Sequence, residues 1–326
     1  MVKISIAVSI IIALISLGYL ASCYKMTSGS EDNIKFKPRL ADYGIYTGVP
    51  GSLAHSESYK RYELSTPLFS DYAEKQRLIR LPVGSSLTAV TDELPKFPDN
   101  TIIVKTFFYY NNKTDTSKGK KIIETRLLIK SNDKWNAATY IWNHQQTDAN
   151  LISAGADVPL NWIDESGNPR VITYHIPNKT ECGMCHRNRD EITVIGPKIR
   201  NLNFDVVRNG IMKNQLEYLQ NVGIFTTVDP ASFSRLPDWK NTSFSLEQRA
   251  RAYLDVNCGH CHNNGGLASH TSLVLTYQTS LTDSRIADKK KAIEELMSNG
   301  AMPFIGTTVV DKEGLQLVKS YLQTLR

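Results

Sequence analysis

Cysteine is scarce in this chain, since its 326 residues contain only five. Cys23 stands alone near the N-terminus, and the other four form two Cys-x-x-Cys pairs. No cysteine is therefore left over for a framework of structural disulfides. Extremes of composition are also missing, because 41% of the residues are hydrophobic, 21% are charged and the mean hydropathy is −0.29. These values exclude a disordered chain and a chain that is embedded as a whole in a membrane.

One long apolar run is present, and it lies at the N-terminus, from Ile4 to Leu20. Ala21, Ser22 and Cys23 follow it. This is the pattern of a lipoprotein signal, in which small residues precede the cleavage site and the new terminal thiol takes up a lipid. We therefore predict that residues 1–22 are a signal peptide and that Cys23 is the lipidation site. A plain N-terminal membrane anchor is the alternative.

Both interpretations place the remainder of the chain outside the cytoplasm. Residues 23–38 are predicted to form a tether from the lipid, because the segment includes small and polar residues such as Ser28-Gly29-Ser30. Tyr24 is not the aspartate that often retains lipoproteins in the inner membrane, so the periplasmic side of the outer membrane is favoured, with the inner membrane as the alternative. An exported, anchored protein would not meet nucleic acid, so no such partner is expected.

Each Cys-x-x-Cys pair is followed at once by histidine. The two segments read Cys182-Gly183-Met184-Cys185-His186 and Cys258-Gly259-His260-Cys261-His262. Two thiols at this spacing can form thioethers with the vinyl groups of one porphyrin, and the adjacent histidine can then bind the iron. We therefore predict two covalent c-type haems, with thioethers at Cys182, Cys185, Cys258 and Cys261 and with His186 and His262 as proximal ligands.

Two other kinds of site use Cys-x-x-Cys pairs. A zinc site would need the pairs to converge across more than seventy residues, and zinc does not require a histidine after each pair. The second pair, Cys258-Gly259-His260-Cys261, also has the sequence of a disulfide-isomerase motif. In those proteins the motif follows a buried strand, whereas here it follows a helical pattern from Arg249 to Asp255.

The C-terminal segment contains a candidate sixth ligand for the second haem. Met302 is followed by Pro303 and then by an amphipathic pattern, with Leu315, Val318, Leu322 and Leu325 on one stripe. Before the motif, Ser245 and Gln248 form a capping box that predicts a helix leading into Cys258. This layout resembles that of class I cytochromes c, which implies Met302 as the distal ligand.

The first haem has no comparable candidate. Met212 shares a helical stripe with Leu216 and Leu219, so core packing competes with ligation there. His175 lies on an alternating segment before the motif and could bind the iron only if that strand crosses the haem. His260, between the cysteines of the second motif, is interpreted as a bystander. Met212 and His175 therefore stay open as distal ligands, and so does a five-coordinate iron.

The region between the tether and the first motif contains short alternating runs of aromatic and β-branched residues, separated by turn signals. The runs are Thr101–Tyr110, Lys121–Ile129, Ala138–Trp142 and Arg170–Ile176. They predict a multidomain β + α chain, with a sandwich-like β-rich domain at residues 39–178. Two small α-helical haem segments are predicted to follow it, at residues 179–244 and 245–326. Lysines 113, 118, 120 and 121 cluster on one predicted hairpin, where they could dock an acidic partner or simply form a solvated face.

Two further segments suggest a family when they are taken together with the motifs and the lipoprotein signal. They are Tyr62-Glu63-Leu64-Ser65-Thr66-Pro67-Leu68-Phe69-Ser70-Asp71-Tyr72-Ala73 and Ile195-Gly196-Pro197-Lys198-Ile199-Arg200-Asn201-Leu202-Asn203. Over nearly its whole length the chain resembles a family of predicted dihaem c-type cytochrome lipoproteins of uncharacterised function. The resemblance implies a partnership with exported parallel β-helix proteins that are encoded beside such cytochromes or fused to them. It implies no substrate.

Three functions are compatible with these features. The first is a tethered dihaem carrier that transfers electrons between redox partners. The second is a redox enzyme, for example a peroxidase-like protein, in which the first iron keeps an open position for substrate. The third is a module that binds a glycan or protein partner and whose haems sense redox state. We expect a carrier rather than a catalyst.

Overall fold

The computed structural model describes residues 34–325. The predicted signal peptide, Cys23 and most of the predicted tether therefore lie outside the described residues. Phe36–Arg326 forms one compact unit that mixes strands and helices. No helix within residues 34–325 combines the length and the apolar character that a membrane crossing requires.

The β-rich part is built around a six-stranded antiparallel sheet in which neighbours along the chain are neighbours in space. Its strands are β1 Lys60–Arg61, β2 Glu74–Arg80, β3 Ile102–Tyr110, β4 Lys120–Ser131, β5 Lys134–Trp142 and β6 Ala149–Ile152. Three two-stranded hairpins follow it: β7 Ala156–Ile163 with β8 Pro169–Ile176, β9 Arg187–Asn188 with β10 Glu191–Ile192, and β11 Asp205–Arg208 with β12 Ile211–Asn214. The prediction of a β-rich region is confirmed, since all four predicted runs are strands.

Seven α-helices are present among the described residues, and all of them follow the large sheet in the chain. They are α1 Lys179–His186, α2 Ile199–Leu202, α3 Gln215–Asn221, α4 Leu246–Asn257, α5 Leu281–Ser284, α6 Ile286–Ser298 and α7 Lys312–Thr324. Helix α4 begins at the predicted capping box, because the Ser245 hydroxyl accepts from the Gln248 amide and the Gln248 side chain accepts from the Ser245 amide. Helix α1 begins with an equivalent box, formed by Asn178 and Glu181.

Helices α4, α6 and α7 share one apolar core. The predicted stripe of α7 lies in it, since Val318 and Leu322 are buried and Leu315 and Leu325 pack against them. Helix α4 contributes Ala250, Tyr253 and Leu254 to the same core. The apolar faces that the sequence predicted for the first and last of these helices therefore pack against each other.

One face of the sheet carries three successive zones. At one end, Ile79, Ile103 and Leu128 pack under the chain between residues 194 and 228. At the other end, Phe107 and Tyr109 pack under the hairpin of β7 and β8. The layer that covers this face of the sheet therefore consists of the β7–β8 hairpin at one end and of the chain between residues 194 and 228 at the other. In the middle zone the ladder aligns residues 77, 105, 126 and 139, which are not covered by either cluster.

The helical stripe that was predicted through Met212 is wrong. Residues 211–214 form strand β12, which pairs with β11 across a turn at Asn209 and Gly210. Helix α3 starts only at Gln215, so Leu216 and Leu219 are buried while Met212 is 71% exposed. The physical reason is the turn at Asn209 and Gly210, both at positive φ, which lies just before Met212. Residues 211–214 then pair with β11 and form a strand in place of a helix.

Candidate functional site

The first Cys-x-x-Cys-His motif occupies the second half of α1. Both cysteines and His186 face a common cavity, which we call the first cavity. Nδ1 of His186 lies 2.8 Å from the carbonyl oxygen of Thr193, to which it can donate, and this leaves Nε2 available to a metal. Burial lowers the pKa of His186 to about 4, so the ring is neutral at physiological pH. A neutral imidazole oriented through Nδ1 is the usual state of an iron-binding histidine.

The second motif begins at the C-terminal end of α4, where Cys258 is the cap residue. Cys258, Cys261, His262 and Met302 line a second, largely apolar cavity of about 530 Å³. Nδ1 of His262 lies 3.4 Å from the hydroxyl of Thr271, so its Nε2 is again the freer nitrogen. The predicted proximal and distal residues of the second haem therefore line one cavity, which has a volume typical of cofactor sites.

All four described cysteines are free thiols, and burial raises the pKa of each. The pKa of Cys185 rises to about 11 and that of Cys258 to about 12, in both cases with a further contribution from Cys261. Thiol-exchange catalysis needs a lowered thiol pKa, so these values argue against a disulfide isomerase. No group of three or more His, Cys, Asp or Glu side chains within residues 34–325 is arranged to hold a bare metal ion.

The first cavity is closed on one side by the middle zone of the sheet. Arg77, Lys105 and Arg126 line it, and they stand in register on β2, β3 and β4. Its volume is about 110 Å³ as the side chains stand, so a porphyrin would enter only if lining side chains moved aside. The three cations are the longest and most flexible of those side chains.

The three cations differ in how they are paired. Arg126 donates from Nε to the buried Glu124 carboxylate at 2.8 Å. Nη2 of Arg77 is buried without a hydrogen-bond partner among the described residues. The ammonium of Lys105 lies over the ring of Phe107, 4.8 Å from its centre, and burial followed by the charge of Arg77 lowers its pKa well below the ordinary value. Arg77 thus has a buried donor without a partner among the described residues, next to the amine of Lys105, which fits a ligand that carries its own acidic groups.

The two cavities adjoin each other. Asn257, His260, Pro303 and Ile305 line both of them. The hairpin after the first motif also contacts the loop after the second, since the Arg189 amide donates to the Gly265 carbonyl at 2.6 Å. The two motifs are 72 residues apart from His186 to Cys258, yet the fold brings them side by side.

The loop that separates the cavities is attached to the β-rich part through one carboxylate. Asp71 accepts hydrogen bonds from the amide and the hydroxyl of Thr308, each at 2.9 Å, and from the amide of Val309 at 3.3 Å. The loop begins at Met302, so Asp71 holds the segment that lines both cavities. Burial raises the pKa of Asp71, and the hydrogen bonds from Thr308 and Val309 partly offset the rise.

The two segments that carried the family resemblance meet at this site. The Thr66 amide donates to the side chain of Asn201 at 2.9 Å, which joins the first segment to the second. The Phe69 amide donates to Asn257 at 2.7 Å, and Lys198 pairs with the buried Asp255 at 2.9 Å. Both segments therefore support helix α4, which ends at the second motif.

Neither open candidate for the first distal ligand lies at the first cavity. Met212 is exposed on its hairpin. Both ring nitrogens of His175 contact carboxylates, since Nδ1 lies 2.7 Å from Asp157 and Nε2 lies 3.0 Å from Glu181. Of the lysines considered for docking, Lys113 is already paired, with Glu74 at 2.9 Å and Glu165 at 2.7 Å.

Sequence reasoning missed the cations of the first cavity and the role of Asp71. Arg77, Lys105 and Arg126 are scattered in the chain, and only strand register aligns them. For Lys105 and Arg126 the available signal was a charged residue in the middle of a predicted strand, at a position that the alternation assigns to the covered face, whereas Arg77 lies on β2, which was not predicted. Comparison of the chain with family models, curated proteins and solved structures gave no match.

Proposed function

We propose that this protein is an extracytoplasmic dihaem c-type cytochrome that carries electrons between redox partners. In this proposal the first haem is attached to Cys182 and Cys185 and the second to Cys258 and Cys261. His186 and His262 are the proximal ligands, and Met302 is the distal ligand of the second iron. The chain is tethered to a membrane through a lipid on Cys23, and an exported parallel β-helix protein is a candidate partner.

The observation that carries the proposal is the pair of adjoining cavities, each with a complete Cys-x-x-Cys-His motif in its wall. The donor sets fit a haem, because each cavity offers two protonated thiols and one histidine whose Nε2 is the freer nitrogen. When bound, a c-type haem supplies an iron that gains or loses a single electron. Transfer of one electron requires no acid, base or nucleophile from the chain, which agrees with the apolar lining of the second cavity.

The chain would contribute orientation and electrostatics. Nη2 of Arg77, which has no hydrogen-bond partner among the described residues, and the amine of Lys105 could bind the carboxylates of a haem in the first cavity. Lining side chains such as Leu254, Leu273 and Ile293 would exclude water from the second. A thioether ligand such as that of Met302 favours ferrous iron, so the second haem would have the higher reduction potential.

The decisive experiment is a pyridine haemochrome assay on the full chain, expressed in a host that attaches c-type haem and exports the protein. Two covalent haems per chain are expected. The double variants Cys182→Ala/Cys185→Ala and Cys258→Ala/Cys261→Ala should each retain one. Cys23→Ser is the matched control, because it removes a thiol outside both motifs and should abolish lipid labelling while leaving two haems. Fewer than two haems in the unaltered protein would refute the proposal.

A further inference from the structure

The first cavity contains few side chains that could be a second axial ligand of an iron. Besides His186, the lining side chains with a suitable donor atom are those of His260, Lys105 and Tyr62. The Tyr62 hydroxyl is a neutral phenol, because burial raises its pKa to about 12. The amine of Lys105 lies over the ring of Phe107, on the side of the cavity that the sheet forms. His260 is therefore the remaining imidazole at this cavity.

The side chain of His260 has a buried polar atom without a hydrogen-bond partner among the described residues. This atom is Nδ1 of the ring. Buried polar atoms are nearly always bonded, so an unbonded one beside a cavity indicates a group that the cavity normally receives.

The backbone around His260 is held firmly. The amides of Cys261 and His262 both donate to the carbonyl of Cys258, at 3.0 and 2.9 Å. The side-chain amide of Asn263 donates to the carbonyls of Gly259 and His260, at 2.8 and 3.0 Å. The turn gives the two histidines different surroundings. His262 lines only the second cavity, whereas His260 lines both cavities.

The same position of the first motif shows the reciprocal arrangement. Met184 occupies the place in Cys182–His186 that His260 occupies in Cys258–His262. Met184 lines the second cavity, next to the other motif, and not the first. The residue just before the second cysteine thus reaches the neighbouring cavity in both motifs, but only the second motif places an imidazole there.

We propose that His260 is the distal iron ligand of the haem that is attached to the first motif. The inference rests on the proposed function. It makes the first haem a six-coordinate, bis-histidine centre with a lower potential than the histidine–methionine centre of the second. It also provides a covalent route between the two centres, through the His260 side chain and the peptide bond to Cys261. The first iron then has no open position for a peroxidase substrate.

The test is spectroscopic and uses the full-length dihaem protein. Near-infrared magnetic circular dichroism distinguishes bis-histidine from histidine–methionine iron, and the unaltered protein should show one centre of each kind, both low-spin. In His260→Ala, half of the haem should become high-spin and, once reduced, should bind carbon monoxide. Added imidazole should return that half to the low-spin state.

One variant serves as the control. Met184→Ala removes the residue at the equivalent motif position and should leave two low-spin haems. The inference is overturned by a high-spin haem in the unaltered protein or by two low-spin haems in His260→Ala. If His260→Ala does not fold, the spectrum of the unaltered protein still decides, because the absence of a bis-histidine signal overturns the inference. Each of these results leaves the count of two haems intact, so failure of the inference differs from failure of the proposed function.

Discussion

Gly314→Ala should reverse the usual effect of this substitution in a helix. Gly314 lies in the first turn of α7, where it packs against α4. Alanine is the better helix former by about 1 kcal/mol in a helix interior, so propensity alone predicts a more stable protein. A β-carbon at position 314 would, however, stand 2.2 Å from the ring of Tyr253 and 2.3 Å from its hydroxyl oxygen.

Tyr253 cannot move aside at low cost. Its ring packs edge-on against Trp239, with the centroids 5.2 Å apart, and its hydroxyl donates to Asp311 at 3.0 Å. Overpacking a core of this kind costs about 1–3 kcal/mol, and more if the hydrogen bond breaks. After the gain in propensity is subtracted, the free energy of unfolding should fall by up to about 2 kcal/mol, which lowers Tm by up to roughly 3 °C for a protein of this size.

The assay is thermal unfolding followed by circular dichroism in the far ultraviolet. Gly183→Ala is the matched control, since Gly183 is also helical and a β-carbon there would meet nothing within 4 Å. The control should leave Tm unchanged or raise it slightly. If Gly314→Ala is as stable as Gly183→Ala, the close packing of α7 on Tyr253 is not the arrangement in solution.

Two further changes test the site, and a third tests the contacts of His175 with two carboxylates. Met302→Ala should lower the reduction potential of one haem by on the order of 100 mV, a fraction of the ~0.8 V that axial ligands span, and leave the other unchanged in a redox titration; unchanged potentials for both would reject the ligand. Arg77→Met should lower the potential of the first haem by tens of millivolts, because a nearby cation favours ferrous iron; an equal shift of both haems would contradict the placement. His175 has a raised pKa, through its hydrogen bonds to Asp157 and then Glu181, so its contribution to stability is complete below its ordinary pKa and is lost as the pH rises through the raised value. His175→Gln should therefore lower Tm at about pH 5.5 and have little effect at about pH 9, and a larger loss at the higher pH would reverse the sign of this reasoning.

Local patterns were enough to predict several parts of this molecule. The two motifs, the four strands β3, β4, β5 and β8 and the capped helix before Cys258 depend on residues close in sequence. Alternation, capping and motif spacing are local, so they can be read without knowing what packs against them. The same patterns failed at Met212, where a turn and the pairing of β12 with β11 replaced the expected helix.

Only the tertiary structure brought the rest of the site together. Arg77, Lys105 and Arg126 become one row through the register of three strands, which their separation in sequence does not reveal. His260 was interpreted as a bystander because the spacing of its motif says nothing about a neighbouring cavity, and the fold shows that its side chain also lines the first cavity, together with the motif on α1. Contacts between residues far apart in sequence depend on how packed elements are oriented, and this orientation decides which cavity a side chain enters.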